Sequence, residues 1–505
     1  MKASHGASGA QAPQELDIVI VGAGLGGLVA AAKLKQAGWN RIAILEQASA
    51  LGGVWRANRY PNVACDTPID LYAISFFLGD KWSTNFAPGG EIWEYLHDFA
   101  RAYGLPALIE TNTEVVRTVW NEGSARWLTE ARDGRRWLSR FLIWAGGILS
   151  RPSIPGIPGR ELFQGESLHT TEWRDDIRLE GKTVAVVGGG ATSIQVVPYV
   201  AQHAARSYVF VRTPSYVMPR PDLFFDRLDR ESPTFAERQR ERREEWFRQF
   251  EKIAENRFPM NEELVAQQEK QWRGNFDAHV KDPHLRDVLT PKYRFGCKRP
   301  LFSNDYYPAF KSPTTAAIGR GVARVDRRGI VDTGGTAYPV DMIVWATGFD
   351  AAHMLGGIEI VGRARQSLKE QWSRVPEAYF GTLVKGFPNF FLVNGPNVGG
   401  ASATIFVEGQ SDLIVHAIQS AADKGAATVE VPAHVHDAFN AEVQRLANDS
   451  VLVLGNCTSW YRVGGDGSVF THWPGTIKSF QAEIVRSART GLAYGGQGAG
   501  ARNAV

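Results

Sequence analysis

Two strand–turn–helix units with glycine-rich turns constrain the fold of this chain more than any other feature. The first opens with the apolar run Asp17–Val21, which is typical of a buried parallel strand. The sequence GAGLGG then places Gly22, Gly24 and Gly27 ahead of a helical run at Leu28–Ala37. In this context the first glycine permits a tight turn, the second admits a pyrophosphate, and the third brings the helix close to the strand. The unit therefore predicts a dinucleotide site at a helix N-terminus.

The next predicted strand ends in an acidic residue, at the distance from the glycine loop that is expected in a dinucleotide-binding fold. Arg41–Leu45 is a second predicted strand, and Glu46 ends it, 46 − 24 = 22 residues beyond Gly24. A carboxylate about 20 residues after the loop is where a ribose hydroxyl is expected. The alternative is a tight turn with no ligand, which the strand, the glycines and the acid together disfavour. The motif alone does not separate FAD from NAD.

A second unit of the same kind lies further along the chain. The predicted strand Lys182–Val187 leads into GGGATS and a helical run from Ile194, with Ser in the place of the third glycine. Two such units predict two phosphate cradles on two domains, so the fold class is α/β with two Rossmann-like dinucleotide-binding domains. The residues predicted to contact the second nucleotide are Gly188, Gly190, Thr192, Ser193 and Gln195.

The end of the next strand indicates which nucleotide the second unit binds. Arg212 and Thr213 follow the predicted strand Tyr208–Val211, at the corner where an NAD-binding fold carries an acid. An arginine can contact a 2′-phosphate through two parallel hydrogen bonds, so this corner favours NADPH over NADH. The alternative is that Arg212 simply caps the strand end at the surface.

Composition restricts the class of protein. The chain has 505 residues, enough for two or three domains, and its 44% hydrophobic and 22% charged content is typical of soluble globular proteins. A net charge of +3 is too small to favour a nucleic acid or a membrane as partner. No apolar run is long enough to span a bilayer, and no signal peptide is evident. Residues 1–10 and 493–505 are rich in small and polar residues and are predicted to be disordered.

The three cysteines, Cys65, Cys297 and Cys457, are widely separated in the sequence. They suggest neither a disulfide framework nor a metal site, and no metal is expected. A reducing compartment, the cytoplasm, is the predicted location.

The middle of the chain changes character. Residues 222–290 have few glycines and many charged residues, with apolar side chains at helical spacing through Trp246, Phe250, Ile253 and Phe258. We expect helices inserted into the second domain. The run ERQRERREE is expected to be a solvated helix face, and the aromatic stripe is expected to be core and not a substrate pocket.

The segment between the two units carries a further pattern. Phe163–Trp173 (FQGESLHTTEW) reads F-x-G-x-x-x-H-x-x-x-W, and periodicity assigns it no secondary structure. The pattern resembles the fingerprint of the Baeyer–Villiger monooxygenases, the ketone-oxidising flavin monooxygenases. Arg174 follows where that family usually has Pro or Asp. The fingerprint residues are Phe163, Gly165, His169 and Trp173.

Other segments carry the same resemblance, in the same order as in the family. Gly52–Asp66 matches G-G-x-W-x-x-x-x-Y-P-x-x-x-x-D, with Asn62 where the family usually has Gly or Met. Cys297–Pro300 resembles the Lys-Arg-Pro segment, Ala346–Gly348 the A-T-G hinge, and Ser459–Tyr461 the Ser-Trp-Tyr of the C-terminal loop. The resemblance spans nearly the whole chain, about residues 15–490.

The resemblance implies FAD in the first cradle and NADPH in the second. Lys298 would contact the NADPH phosphate, and Trp460 the nicotinamide ribose. Simple packing is the alternative for Trp460, Tyr72 and Val115, and loop capping for Asp66. The residues expected at FAD are Gly22, Gly24, Gly27, Glu46, Gly53, Val54, Trp55, Asp66, Tyr72 and Val115.

The resemblance also implies the reaction. The protein would use NADPH and oxygen to convert a ketone into an ester or lactone through a flavin peroxide. Arg299 would stabilise negative charge in the reaction, and Asp66 would hold Arg299 in place. His169 could act as a base, but its place on the linker favours a role in hinge motion between the domains. The assembly would be a monomer or a homodimer.

The resemblance further implies a discontinuous FAD-binding domain. Its first part would be residues 11–150, and RPSIPGIPG after Trp144 marks the boundary. The NADPH-binding domain would cover 151–221 and 291–349 around the helical insertion at 222–290. Residues 350–490 would complete the FAD-binding domain.

Three other functions fit parts of this sequence. An N- or S-oxidising flavin monooxygenase shares the architecture but has no need of Arg299. A disulfide reductase is disfavoured because no paired redox cysteines follow the first loop. An FAD-carrying escort protein would have no use for the second loop and Arg212.

Overall fold

A computed structural model describes residues 12–497 of the chain. Its strands follow the apolar runs, and Ile18–Val21 and Met342–Trp345 are buried along their whole length, as expected for inner strands of parallel sheets. The strands are β1 (Gln14–Val21), β2 (Ile42–Leu45), β3 (Ile109–Glu110), β4 (Val115–Asn121), β5 (Arg126–Ala131), β6 (Arg136–Trp144), β7 (Glu166–His169), β8 (Thr183–Val187), β9 (Arg206–Phe210), β10 (Val217–Met218), β11 (Leu301–Phe302), β12 (Thr315–Ile318), β13 (Val322–Asp326), β14 (Gly329–Asp332), β15 (Ala337–Pro339), β16 (Met342–Trp345), β17 (Glu359–Val361), β18 (Phe390–Leu392), β19 (Ala426–Glu430) and β20 (Ala493–Gln497).

The helices alternate with these strands in the two nucleotide units and cluster between them. None of the helices within residues 12–497 is long and apolar enough to cross a membrane. The helices are α1 (Leu25–Gln36), α2 (Val54–Ala57), α3 (Ile69–Tyr72), α4 (Gly89–Ala102), α5 (Ala191–His203), α6 (Arg227–Glu231), α7 (Phe235–Arg257), α8 (Glu262–His279), α9 (Pro283–Leu289), α10 (Tyr306–Ala309), α11 (Leu368–Gln371), α12 (Ala403–Asp423), α13 (Ala433–Asn448), α14 (Val451–Leu454) and α15 (Ile477–Thr490).

The larger sheet combines the two ends of the chain. Its order is β17-β4-β5-β6-β1-β2-β3, and β18 also pairs with β6. β1 runs parallel to both β2 and β6, whereas β4, β5 and β6 form an antiparallel meander. β17 and β18, from the C-terminal part, join parallel to β4 and β6. α12 packs on α1 over one face, so residues beyond 350 complete the core that the N-terminal unit begins.

The second sheet repeats the plan with five parallel strands in the order β12-β9-β8-β16-β7. In each sheet the strand before a glycine loop lies beside an apolar strand that returns from later in the chain: β6 beside β1, and β16 beside β8. Apolar clusters cover both faces of this sheet. The predicted fold class, two Rossmann-like domains, is confirmed, whereas the predicted domain limits remain predictions.

The structure corrects two expectations of local structure. The fingerprint segment is not wholly irregular, because Glu166–His169 forms β7 at the edge of the second sheet, where its backbone pairs with β16. Residues 493–497 are not disordered, because β20 pairs antiparallel with β19. The predicted disorder of residues 1–10 lies outside the described residues, as does that of 498–505. The helices predicted for 222–290 are present as α6 to α9.

Candidate active site

A cavity of 2120 Å³ lies where the two glycine loops meet. Both loop strands end in it, since Val21 and Gly22 of the first unit and Val187 and Gly188 of the second line its wall. Single-ligand pockets reach about 1,000 Å³, so this cavity has room for more than one small molecule. Crevices at the carboxyl ends of parallel strands are the usual ligand sites of such sheets.

The first loop presents bare backbone to the cavity. Gly22 has φ +107°, and a Cβ there would lie 2.5 Å from the carbonyl oxygen of Ala145. Gly53 has φ +54°, and its Cβ would lie 3.0 Å from the Cα of Gly24. Gly27 does not line the cavity; a Cβ there would lie 2.0 Å from the Gly22 carbonyl oxygen, so glycine lets α1 start close to β1. This cradle fits a pyrophosphate.

Glu46 lies at the end of β2 with a fixed carboxylate. Its Oε2 accepts from the backbone N–H of Ala23 and its Oε1 from that of Ala48, both at 2.8 Å. The side chain is buried yet lines the cavity. Each carboxylate oxygen has a further lone pair, so Glu46 can also accept from ribose hydroxyls.

The residues predicted at FAD beyond the loop come together on the same wall. Val54, Trp55, Tyr72 and Val115 all line the cavity. The Trp55 Nε1 donates to the Tyr72 hydroxyl at 2.8 Å, and the two rings meet edge to face at 5.7 Å. Burial raises the pKa of Tyr72, so its hydroxyl stays neutral. An apolar lining with one fixed hydroxyl suits an aromatic ring system.

The second loop mirrors the first. Gly188 has φ +144°, and a Cβ there would lie 2.2 Å from the carbonyl oxygen of Ala346, just as Gly22 approaches Ala145. Gly190 precedes α5 and, like Thr192, lines the cavity. Ser193 does not line it, contrary to its predicted nucleotide contact. Its buried hydroxyl instead donates to the Gly188 carbonyl oxygen at 2.8 Å, so Ser193 supports the loop.

Gln195 connects the two nucleotide units. Its Oε1 accepts from the Tyr60 hydroxyl at 2.8 Å, and its Nε2 donates to the Ala64 carbonyl oxygen at 3.0 Å. Asn62, on the same turn, has φ +64° and donates from Nδ2 to the Gln195 carbonyl oxygen at 3.3 Å. Asparagine adopts this left-handed conformation more readily than most residues, so the turn is kept where the family has Gly or Met.

A basic corner lies at the end of β9. Arg212 and Thr213 are exposed and line the cavity, together with Lys298 and Arg320. Burial lowers the pKa of Lys298, and the nearby charge of Arg212 lowers it further. Arg320 lies 3.6 Å from Asp332, from Nη1 to Oδ2. Several positive charges around one part of a cavity fit a phosphate group. Arg320 was not identified from the sequence, because it lies far from both glycine loops in the chain.

Arg299 and Asp66 form an ion pair inside the cavity. Nη2 of Arg299 donates to Oδ1 of Asp66 at 2.7 Å and to the Thr67 hydroxyl at 3.1 Å. The side chains are 39% and 28% exposed, and both residues line the cavity. Burial acts to lower the pKa of Arg299, but Asp66 and the neighbouring Tyr461 raise it above its ordinary value, so the guanidinium stays charged. The structure thus brings together two residues that are 233 positions apart.

His169 contacts Gly348, in the segment that resembles the family's hinge, and does not line the cavity. Its Nδ1 accepts from the backbone N–H of Thr171 at 3.2 Å, so Nε2 carries the proton and donates to the Gly348 carbonyl oxygen at 3.1 Å. Burial lowers the pKa of His169, which keeps the ring neutral. A buried ring away from the cavity is badly placed to act as a base, and its bond to Gly348 supports the hinge interpretation.

The other three fingerprint residues pack against the second sheet or its neighbours. Gly165 approaches β16 so closely that a Cβ would lie 2.4 Å from the Asp341 carbonyl oxygen and 2.5 Å from the Phe163 ring. Phe163 packs on one face of the second sheet, and Trp173 is buried on the other, edge to face with Tyr199. None of the four fingerprint residues lines the cavity. The fingerprint therefore fixes the linker to the second sheet.

The C-terminal loop is joined to the Lys-Arg-Pro segment by a covalent bond. Cys297 and Cys457 form a disulfide across 160 residues of sequence, so the expectation of unpaired cysteines is wrong for these two. Cys65 is free and buried. No local pattern indicates this pair, because the fold alone brings residues so distant into contact. Trp460, three residues beyond Cys457, is 46% exposed and lines the cavity.

The aromatic stripe of α7 is partly core, as predicted, because Trp246 and Phe250 pack against Leu71, Ile405 and Ile477, but it also forms part of the cavity wall. Trp246, Phe250 and Ile253 line the cavity, whereas Phe258 packs with Leu452 in a separate cluster. Helical periodicity identified the face correctly. It could not show that part of this face also borders a cavity, because the same spacing serves a helix packed on a core and a helix that lines a cavity.

Comparison with known proteins identifies the family. The pyridine nucleotide-disulphide oxidoreductase family matches residues 16–241. A Baeyer–Villiger monooxygenase of Streptomyces coelicolor is 35% identical over 94% of this chain and 92% of its own length. The chain belongs to the Baeyer–Villiger monooxygenases. A second relative of that name, from Pseudomonas aeruginosa, is 34% identical over 93% of this chain and 90% of its own.

Solved structures of a cyclohexanone monooxygenase and a steroid monooxygenase share the whole fold. A closed cyclohexanone monooxygenase covers 96% of this chain and 99% of its own with a TM-score of 0.87 at 26% identity. An oxidised steroid monooxygenase bound to NADP covers 95% and 99% with a TM-score of 0.85 at 29% identity. The predicted family and the predicted FAD- and NADPH-dependent monooxygenase are thereby confirmed.

Proposed function

We propose that this enzyme uses NADPH and molecular oxygen to insert an oxygen atom beside a ketone carbonyl, giving an ester or a lactone. The observation that carries the proposal is the Arg299–Asp66 pair, in which the two side chains are joined by a 2.7 Å hydrogen bond and both residues line the cavity. The relatives support it by name, since cyclohexanone and steroid monooxygenases are among the solved structures with this fold.

The two cradles fit their expected cofactors. The loop at Gly22 with Glu46 and the Trp55–Tyr72 wall suits FAD. The loop at Gly188 with the basic corner around Arg212 suits the 2′-phosphate of NADPH. FAD, when bound, supplies the oxygen-activating redox chemistry, and NADPH supplies the reducing equivalents.

Arg299 is suited to stabilise the negative charge that develops on the carbonyl oxygen. A guanidinium stays protonated at any working pH and has several N–H donors in a fixed plane. Its bonds to Asp66 and Thr67 both use Nη2, so its other N–H groups can face the substrate. A donor held in place before the reaction stabilises developing charge without reorganisation. Asp66 positions the guanidinium through the shared hydrogen bond.

The test is turnover of a ketone panel by the FAD-loaded enzyme and by its Arg299→Ala variant. We expect NADPH-dependent gain of one oxygen, as ester or lactone, by the native protein. In Arg299→Ala we expect retained FAD and detectable NADPH oxidation but no ester, since loss of such a donor costs on the order of 3 kcal/mol or more. Arg248→Ala, on the exposed face of α7, is the matched control.

Two outcomes would contradict the proposal. Normal ester yield from Arg299→Ala would remove the role of that residue. Hydrogen peroxide as the only product from ketones, with amines or sulfides oxidised instead, would place the protein with the N- or S-oxidising flavin monooxygenases. A monomeric or homodimeric state and a cytoplasmic location remain predictions that size-exclusion chromatography and cell fractionation can check.

A further inference from the structure

One face of α7 combines three apolar side chains and one cation. Trp246, Phe250, Ile253 and Arg257 recur at intervals of four, three and four residues, so they share one side of the helix. All four line the cavity. Eleven residues of helix extend about 16 Å, so the face offers a long apolar wall with a guanidinium at one end.

Arg257 has no counter-ion among the described residues. No ion pair or hydrogen bond to its guanidinium occurs within residues 12–497, although the residue is only partly exposed at the cavity wall. Burial lowers the pKa of Arg257, Tyr461 acts against this, and the charge of Arg299 lowers it further. The C-terminal end of α7 stabilises a cation there, but a helix end offsets only a small part of the cost of burying one.

The acidic groups near Arg257 do not balance the positive charges of Arg257 and Arg299. Asp66 is already bonded to Arg299. Glu251, one to two turns before Arg257, accepts from the backbone N–H groups at the start of α15, and Glu255 is exposed. Two further groups face this corner, Tyr461 and His472, and burial keeps both neutral by raising the pKa of the phenol and lowering that of the imidazole.

We propose that this enzyme acts on ketones that carry a carboxylate, and that Arg257 binds that carboxylate while the apolar body lies along Trp246, Phe250 and Ile253. The inference rests on the proposed ketone oxidation and names its substrate class. Arg257 and Arg299 line the same cavity, so a ketone held by both would carry its carboxylate on the Arg257 side of the reacting carbonyl. A keto acid with a long alkyl chain on the far side of the carbonyl fits this order of groups.

The carboxylate would supply the counter-ion that the described residues lack. Hydrogen bonds between charged partners are about twice as strong as neutral ones, and an arginine can bind a carboxylate through two of them. A neutral ketone would leave Arg257 unpaired in a desolvated site, which disfavours its binding. The corner therefore selects acids over their esters.

The experiment compares 4-oxododecanoate with its methyl ester in the FAD-loaded enzyme, by product mass and NADPH consumption. We expect a higher kcat/KM for the acid. In Arg257→Met, which keeps a similar apolar stem, the ratio of kcat/KM for acid to ester should fall about ten- to a hundredfold. Arg257→Lys should restore part of it. Arg240→Met, the same change at an exposed position of α7, should leave the ratio unaltered.

The outcomes separate this inference from the proposed function. If neither the acid nor any ketone of the panel gives an ester, the proposed function fails. If neutral ketones are converted but the acid-to-ester ratio is near one in the native enzyme, or does not change in Arg257→Met, only the inference fails. An increase in KM for NADPH with an unchanged ratio would also overturn it, because Arg257 would then belong to the cofactor site.

Discussion

Removing the charge of Asp66 tests whether the carboxylate positions Arg299. In Asp66→Asn the side chain keeps its shape and one acceptor oxygen but loses the charge that strengthens the 2.7 Å bond. Hydrogen bonds to charged groups contribute about 1.5–3 kcal/mol. The two side chains are 39% and 28% exposed, so screening favours the lower end, about 1.5 kcal/mol. That free energy corresponds to roughly tenfold in the population of correctly placed guanidinium.

The assay is the yield of ester per NADPH consumed, with FAD content measured from flavin absorbance. We expect Asp66→Asn to lower kcat/KM for the ketone about tenfold and to divert NADPH consumption towards hydrogen peroxide, at unchanged FAD content. Asp98→Asn is the matched control, because Asp98 pairs with Lys81 at 2.8 Å on the surface away from the cavity.

A double-mutant cycle tests whether Asp66 and Arg299 act together. Arg299→Lys alone should also lower turnover, since a single ammonium does not reproduce the planar guanidinium. If Asp66 acts through Arg299, the double variant should lose less than the sum of the two single losses, by at least about 1 kcal/mol. Additive losses, or an Asp66→Asn variant with the native yield of ester per NADPH, would show that the two residues do not act as one unit.

Three further predictions concern the hinge, the nucleotide and the cysteines. His169→Ala should lower ester yield about tenfold with FAD retained, because the hinge carbonyl loses its buried donor; an FAD-free protein would contradict the hinge interpretation. Arg212→Gln should raise the KM for NADPH about tenfold or more with little change for NADH, as steady-state kinetics would show. When the chain is unfolded without reductant, one reactive thiol should be detected, that of Cys65, because Cys297 and Cys457 are joined. After reduction, three thiols should be detected. Three thiols before reduction would exclude the bond.

Much of the nucleotide architecture is readable from the sequence because its determinants are local. Glycine is required at 22 and 188 by the positive φ, and because a Cβ would lie only 2.5 Å and 2.2 Å from a carbonyl oxygen. Such requirements show in the sequence as glycine at a fixed spacing. Strand, turn and helix follow one another within a few residues, so short patterns are enough to predict them.

The sequence does not determine where an individual side chain points. Ser193 stands where the pattern places a nucleotide contact, yet its hydroxyl bonds its own loop. His169 resembles a catalytic base in a polar segment, yet it is buried against Gly348. A motif constrains which residue occupies a position, but the direction of its side chain depends on the elements packed around it.

The sequence by itself determined the two nucleotide units, their order and the family resemblance, because each rests on patterns of residues close in the chain. The resemblance already implied that Asp66 holds Arg299, and the structure shows that contact. Only the tertiary structure decided that Cys297 meets Cys457 and that the apolar face of α7 ending in Arg257 lines the cavity. These contacts join segments that are distant in sequence, and no local pattern records them. Chain folding brings them together because burial of the two sheets' apolar faces fixes where every intervening segment must lie.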